Sequence, residues 1–349
     1  MDDVLVLWDI DGTLLNADGV GRDLYDAVFL QLFGRSLSAY APMAGRTDRA
    51  IILETLSLAG VDEPRRYVDP FIAGLCEHAS SVRSAVADRG HALPGAAAVL
   101  ATLASARTLG SLAAAAQAGA IGLGRRGAPC GLGGGLGGGL TQPVAVPSMT
   151  AFPLAAPSMT ATPAASASAA ASLAAPPLTA PPLTAKPAAI PPMAAKPAAV
   201  PGMADRPATV PPLAADPAGG EAGRIHQSVL TGNIRSVAEV KLAALGLREW
   251  LDLCIGAYGD DHEDRTELVE VARRRAAAVH GRSAAAFNGT ATVVIGDTPL
   301  DISAALAAGA RAVGVATGSH SADDLAMAGA DAVLPDLTDT AVVLRALLA

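Results

Sequence analysis

Apolar positions follow two rhythms along this chain. Val4-Leu5-Val6-Leu7-Trp8 is an unbroken apolar run with β-branched content, as expected of a strand buried on both faces of a parallel sheet. Shorter runs recur at Ser228-Val229-Leu230, Ala291 to Ile295, Ala312 to Val315 and Ala332-Val333-Leu334. Between them apolar residues return at helical spacing over Ser236 to Leu245, Arg265 to Val279, Pro299 to Ala308 and Ala322 to Ala328. This alternation predicts right-handed crossovers and a doubly wound, Rossmann-like α/β fold around a parallel sheet, with ligands collecting at the carboxyl ends of the strands. Residues 15–93 carry helical patterns without strand runs, among them Asp23 to Phe33 and Arg49 to Leu58. They read as an α-helical domain inserted after the first strand.

The middle of the chain loses both rhythms. From about Thr108 to Ala222 it is rich in Ala, Pro and Gly, opening on a glycine run from Gly131 to Gly139 and continuing into imperfect ten-residue units such as KPAAIPPMAA from Lys186 and KPAAVPGMAD from Lys196. Proline this frequent breaks helices and ladders, and alanine buries too little surface to offset chain entropy. The segment is expected to be disordered, partly polyproline II. The expected organisation is core at 1–14, cap at 15–93, core again at 94–107, low-complexity insertion at 108–222 and core at 223–349.

Composition narrows the function. The 349 residues include 25 basic and 33 acidic side chains, a formal charge of -8, too acidic for a nucleic-acid binder and compatible with a small diffusing substrate. Cys76, Cys130 and Cys254 share no metal-ligand spacing, so neither a disulfide framework nor a zinc site is indicated. With no secretory signal and no convincing membrane span, a cytoplasmic location is expected.

Candidate chemistry sits where strands end. Asp9-Ile10-Asp11-Gly12-Thr13 places two carboxylates two residues apart beside a glycine suited to a tight turn. A carboxylate is a competent nucleophile towards phosphorus, and a second can protonate the leaving oxygen and then activate water. A plain Asp-Gly turn is the bland reading of the same residues. Gly296-Asp297-Thr298-Pro299-Leu300-Asp301 follows another buried strand, so Asp297 and Asp301 can converge with Asp9, and Mg²⁺ takes one or two carboxylates with water and phosphate. Helix capping is the competing account of these two aspartates. Thr231-Gly232-Asn233 ends a strand and opens a helix, offering backbone N–H groups and a hydroxyl to an anion, or a simple N-cap.

Together and in this order, DIDGTLLN around Asp9, VLTGN around Thr231 and VIGDTPLD around Asp297 resemble the first, second and fourth motifs of the haloacid dehalogenase-like hydrolase superfamily, in particular its phosphoglycolate phosphatase-like branch with a helical cap. The resemblance spans roughly 1–107 and 223–349. It implies a Mg²⁺-dependent phosphatase acting on a small phosphorylated metabolite, with Asp9 as nucleophile and metal ligand and Asp11 as general acid/base whose backbone carbonyl also faces the metal. Thr231, Gly232 and Asn233 would hold the phosphoryl group, Asp297 would bind the metal directly and Asp301 would lie near it. The third motif departs from the pattern, which has a lysine early in the helix after the next strand. Here Leu251 to Ile255 leads on to Arg265, a permanent cation able to bind phosphate in bidentate fashion. The alternative, Lys241, reads as a solvated charge in mid-helix. Arg265 in turn has a bland reading as a surface partner of Asp261 or Glu263.

In the cap, Arg22 and Arg46 are the cations placed to meet an acidic leaving group, with solvated helix-end charges as the alternative. Asp11 argues against a dehalogenase, and the absence of lysine between Asp18 and Leu93 argues against a phosphonatase. A phosphomutase of the same fold, or a non-catalytic protein that recruits partners through its Pro/Ala tract, are the remaining alternatives.

Overall fold

The computed structural model describes residues 3–17, 19–106, 108, 110, 111, 114 and 223–348. The expectations for the rest of 108–222, and Cys130 with them, lie outside the described residues. In chain order the main elements are β1 (Val4–Trp8), β2 (Leu15–Asn16), α1 (Val20–Phe33), α2 (Asp48–Leu58), α3 (Val68–His78), α4 (Arg83–Arg89), β3 (His91–Ala92) and α5 (Ala96–Ala106). After the insertion come β4 (Ile225–Val229), α6 (Arg235–Ala244), α7 (Arg265–His280), β5 (Thr292–Gly296), α8 (Pro299–Ala307), β6 (Arg311–Val315), α9 (Ala322–Met327), β7 (Ala332–Leu334) and α10 (Thr340–Leu348).

Five strands form one parallel sheet in the order β4-β1-β5-β6-β7. The unbroken apolar run of β1 is needed because both of its faces are covered. Val6 and Trp8 enter one core with Val229, Val293, Ile295 and the cap helices, while Leu5 and Leu7 enter the other with Val294, Leu268, Val269 and Ile302. The chain passes from β1 to β4 on one side and to β5 on the other, so the order reverses around β1. The carboxyl ends of β4, β1 and β5 are therefore neighbours, and a crevice opens outside them.

The structure departs from the periodicity in three places. The apolar run at Ser228 to Leu230 belongs to a strand, expected from about His226, that begins at Ile225, because His226 and Gln227 hide their polarity in hydrogen bonds. His226 contacts Asp3, and the Gln227 amide donates to the carbonyls of Leu100 and Trp250. Leu251 to Ile255 is turn and irregular chain, and the sheet gains only an isolated parallel bridge between Leu230 and Ala257. The segment expected to be purely helical starts and ends in a two-stranded antiparallel pair, Leu15 with Ala92 and Asn16 with His91. Between those strands, α1 to α4 pack around Tyr25, Phe29 and Phe71, with the Tyr25 and Phe71 rings 5.2 Å apart. Among the described residues no helix is long and apolar enough to cross a membrane.

The two flanks of the insertion meet. Thr108 and Arg224 form an antiparallel bridge, and the backbone N–H of Val4 donates to the carbonyl of Arg224 at 2.8 Å, at the amino end of the sheet. Asp3 fixes the same corner through the backbone N–H of Arg224 and the guanidinium of Arg282. Shortening the connection from over a hundred residues to a few removes about five doublings of length, worth about 3 kcal/mol at about 0.6 each. Replacing residues 110–222 with a short Gly/Ser linker is therefore expected to give a urea-unfolding midpoint no lower than that of the full chain. A lower midpoint would show that the fold needs the segment.

Candidate active site

Asp9, Thr231 and Asp297 each stand one or two residues beyond a strand of the central trio, and the backbone N–H of Asp9 still donates to the carbonyl of Ile295 at 2.8 Å. Asp9, Asp297 and Asp301 converge, their nearest carboxylate oxygens all lying within 4.8 Å of one another, and all three side chains are buried. Burial raises Asp9 well above the usual carboxylate range, with Arg265 pulling the other way and Asp301 and Asp297 adding to the rise. Burial followed by repulsion from Asp301 lifts Asp297 to about 7.

Two glycines bring backbone against Asp297. Gly12 has φ +85°, and a Cβ there would lie 2.4 Å from Asp297 Oδ2. A Cβ on Gly318, in the loop after β6, would lie 1.7 Å from the same atom. The hydroxyl of Thr13 donates to Asp297 Oδ1 at 3.2 Å, and that of Thr317 to the carbonyl of Gly12 at 2.6 Å.

Arg265 is the counter-charge. It is the first residue of α7, capped by the Asp264 carboxylate on the N–H of Thr266. Its Nη2 donates to Asp9 Oδ1 at 2.6 Å, to Asp301 Oδ1 and to the carbonyl of Leu230 at 3.2 Å, and its Nη1 to the carbonyl of Gly45 at 3.2 Å. Burial alone would lower its pKa, but Asp301 and Asp9 outweigh that and push it up. Its Nε–H is buried without an acceptor among the described residues. The surface pairing considered for Arg265 is absent, since Asp261 pairs with Arg275 and Glu263 with Arg65.

Asp301 does two jobs. Its Oδ2 accepts from the backbone N–H and the hydroxyl of Thr298 in a capping box that opens α8, and its Oδ1 takes Arg265. With both oxygens engaged, its capping role is real and it faces the cluster through Arg265.

Lys241 corrects an expectation. It is not a solvated charge but is 5% exposed, on the α6 face that also buries Val237, Ala238 and Leu242. Its Nζ donates to both oxygens of Asp11, at 2.8 and 2.7 Å, and to Asn233 Oδ1 at 2.8 Å. A charged residue on the apolar stripe of a helix was the signal available in the sequence. Asn233 Nδ2 in turn donates to Asp11 Oδ2 and Thr231 Oγ1.

The cap reaches this floor through Gly45 to Arg49, which the sequence did not single out apart from Arg46. The N–H of Asp48 donates to the carbonyl of Gly232 at 2.7 Å, and its carboxylate accepts from the N–H of Ile234 and the hydroxyl of Tyr25. Burial raises the pKa of Asp48 in spite of both bonds. The Thr47 hydroxyl donates to the carbonyl of Glu263 at 2.6 Å. Arg22 and Arg46 both line the resulting cleft of about 650 Å³, together with Asp9, Asp11, Met43 and Ile51. Arg46 is already neutralised by Glu54 at 2.6 Å, whereas Arg22 is exposed and lies 5.5 Å from the centre of the Tyr40 ring.

Part of the chain matches a known family. Residues 268–340, which include Asp297 and Asp301, match the family model described as HAD-hyrolase-like. Comparison with curated proteins finds no match. Similar solved structures include the haloacid dehalogenase-like hydrolase SP0104 from Streptococcus pneumoniae, at 10% identity and TM-score 0.44 over 98% of this chain and 97% of that one. A structure described as a predicted phosphatase from Clostridium acetobutylicum has 12% identity and TM-score 0.47 over 99% of each chain. A hydrolase from Pseudomonas syringae has 14% identity and TM-score 0.44 over 98% of each. The family match agrees with the resemblance carried by the three motifs, to the haloacid dehalogenase-like hydrolase superfamily.

The tightest approach of cap to core yields a prediction. A Cβ on Gly232 would lie 1.8 Å from the carbonyl oxygen of Arg46, so one chain must move. Gly232→Ala is expected to destabilise the protein by about 1–3 kcal/mol, the usual range for overpacking, in urea unfolding. An unchanged unfolding midpoint would show that the cap yields freely at this point.

Proposed function

We propose that this chain is a Mg²⁺-dependent phosphatase that hydrolyses a small phosphate monoester through a phospho-aspartate on Asp9. The observation that carries the reading is the buried pairing of Asp9 with Arg265 beside Asp297, on the floor of a cleft that also holds Asp11, Thr231 and Asn233. A carboxylate raised by burial is a poor nucleophile until positive charge restores its ionised form. Three buried carboxylates around one guanidinium leave negative charge in excess, and this donor set of hard oxygens fits a divalent cation. Asp9, Asp297 and the backbone carbonyl of Asp11 would hold Mg²⁺, with Asp301 nearby, and the ion would supply charge neutralisation to the phosphoryl oxygens.

The chain's own groups divide the remaining work. Asp9 attacks phosphorus and the bond to the leaving oxygen breaks, while Asp11 gives that oxygen its proton. Asp11, now a carboxylate, takes a proton from water, which attacks the phospho-aspartate, releases inorganic phosphate and restores Asp9. Arg265 draws off negative charge at the nucleophile through its Nη2 contact to Asp9. The Thr231 hydroxyl, whose oxygen accepts from the Asn233 backbone N–H and side-chain amide, has its own hydrogen to offer as a further donor. The cap cations Arg22 and Arg46 would meet the leaving group, Arg22 with its charge uncommitted to any described carboxylate.

Purified protein is expected to release phosphate from p-nitrophenyl phosphate only with Mg²⁺, and Asp9→Asn is expected to abolish release while keeping the fold. Residual turnover above about a hundredth of wild type would rule out Asp9 as nucleophile. Arg265→Ala is expected to lower kcat/KM by about a hundredfold or more, on the scale of other charge-stabilising donors. A loss of less than about threefold would remove Arg265 from the phosphoryl site.

A further inference from the structure

Asp11 is the most exposed of the acidic groups proposed to do chemistry, its side chain 42% exposed, yet it is held at both oxygens. A carboxylate in an open cleft samples several rotamers, and a proton donor is effective only when it stays within hydrogen-bond reach of the leaving oxygen. The restraint comes from α6. Lys241 offers three N–H groups and finds three acceptors, two on Asp11 and one on Asn233, which satisfies a buried ammonium completely. Asn233 closes the ring by donating to Asp11 and Thr231, so the orientation of its amide is dictated by its partners. Tyr25 and the N–H of Ile234 hold the cap carboxylate of Asp48 close to the same ammonium, a second negative charge that favours keeping it there.

We propose that Lys241 is a positioning residue for Asp11, fixing the general acid/base in one rotamer while Arg265 serves Asp9. The inference rests on the phosphatase reading above. In it the two jobs of orienting the acid and neutralising the nucleophile fall to different cations on different helices. Lys241 touches neither Asp9 nor any other member of the buried acidic cluster through a hydrogen bond, and Arg265 makes none to Asp11. A purely structural Lys241, there to neutralise buried acid, would leave no trace of the leaving group in the kinetics. A positioning one must, because a poor leaving oxygen needs its proton and a good one needs it far less.

The test uses the full chain with Mg²⁺ and two esters of similar shape, p-nitrophenyl phosphate with the better leaving group and phenyl phosphate with the worse. Lys241→Met, which keeps length without charge, is expected to lower kcat/KM for phenyl phosphate at least about tenfold more than for p-nitrophenyl phosphate, as Asp11→Asn should. Adding Lys241→Met to Asp11→Asn should cost little further, since both act through one group. Equal losses on the two esters, or additive losses in the double variant, would overturn the inference. Should Lys241→Met fail to fold, judged by far-UV circular dichroism, Lys241→Arg carries the same test. It keeps the charge and loses the three-donor geometry, so a leaving-group difference supports the proposal and a uniform loss, or none, overturns it. If wild-type protein releases no phosphate from either ester, or Asp9→Asn still does, the phosphatase reading falls and this inference with it. A wild type that passes both checks isolates Lys241.

Discussion

Arg265 stands 7% exposed between two carboxylates, and much of the site is arranged around that fact. A guanidinium taken out of water is tolerated only where acceptors surround it, and here they come from four directions, the ends of β1 and β4, the start of α8 and the cap carbonyl of Gly45. Breaking a buried pair by removing one partner typically costs about 3–5 kcal/mol, so these loops are tied to one another as firmly as a patch of core. The residue lies at the first position of α7, where the helix dipole adds to the positive potential that Asp9 and Asp301 feel. Because Asp301 also caps α8, the side chain that starts one helix is the one that steadies the cation starting another.

The cap is joined to this centre by close backbone approach as well as by side chains. Gly45, Gly232 and Gly259 let chain approach chain where a Cβ would meet Thr298, Arg46 or Gly232 at 2.3 Å or less. Through these contacts the carbonyl of Gly45 is an acceptor for Arg265 and the N–H of Asp48 a donor to the loop at Thr231. Cap and core belong to one compact unit. Any group entering the cleft meets walls from both, with Arg22 and Met43 on one side and Asp11 and Thr231 on the other.

Sequence pattern made the sheet legible because a strand covered on both faces has little room for polarity, and β1 and, past their first residues Thr292 and Arg311, β5 and β6 obey that rule. It blurred β4, whose His226 and Gln227 are polar but bonded inward, and it passed over β2 and β3, which are too short to show a period. Asp9, Asp11 and Asp297 were legible because each ends an apolar run, a local signal. Lys241 was legible only as a charge on an apolar stripe, and its role was not, because one of the acceptors that make its burial tolerable, Asp11, lies some 230 positions away. Asp48 was not singled out for the same reason, its partner Ile234 being distant in sequence. What the chain hides is the satisfaction of buried polar groups by partners far along it, since periodicity reports only which face is apolar.

The bridge between Thr108 and Arg224 fixes the spacing at which the two ends of the connection leave the fold. The two flanks leave the sheet side by side at its amino end, while Asp9, Thr231 and Asp297 gather at the carboxyl end. A foreign module with closely spaced termini, such as a fluorescent or affinity domain, could be spliced in at this neck without passing near the cleft. The neck is thus a ready port for a reporter.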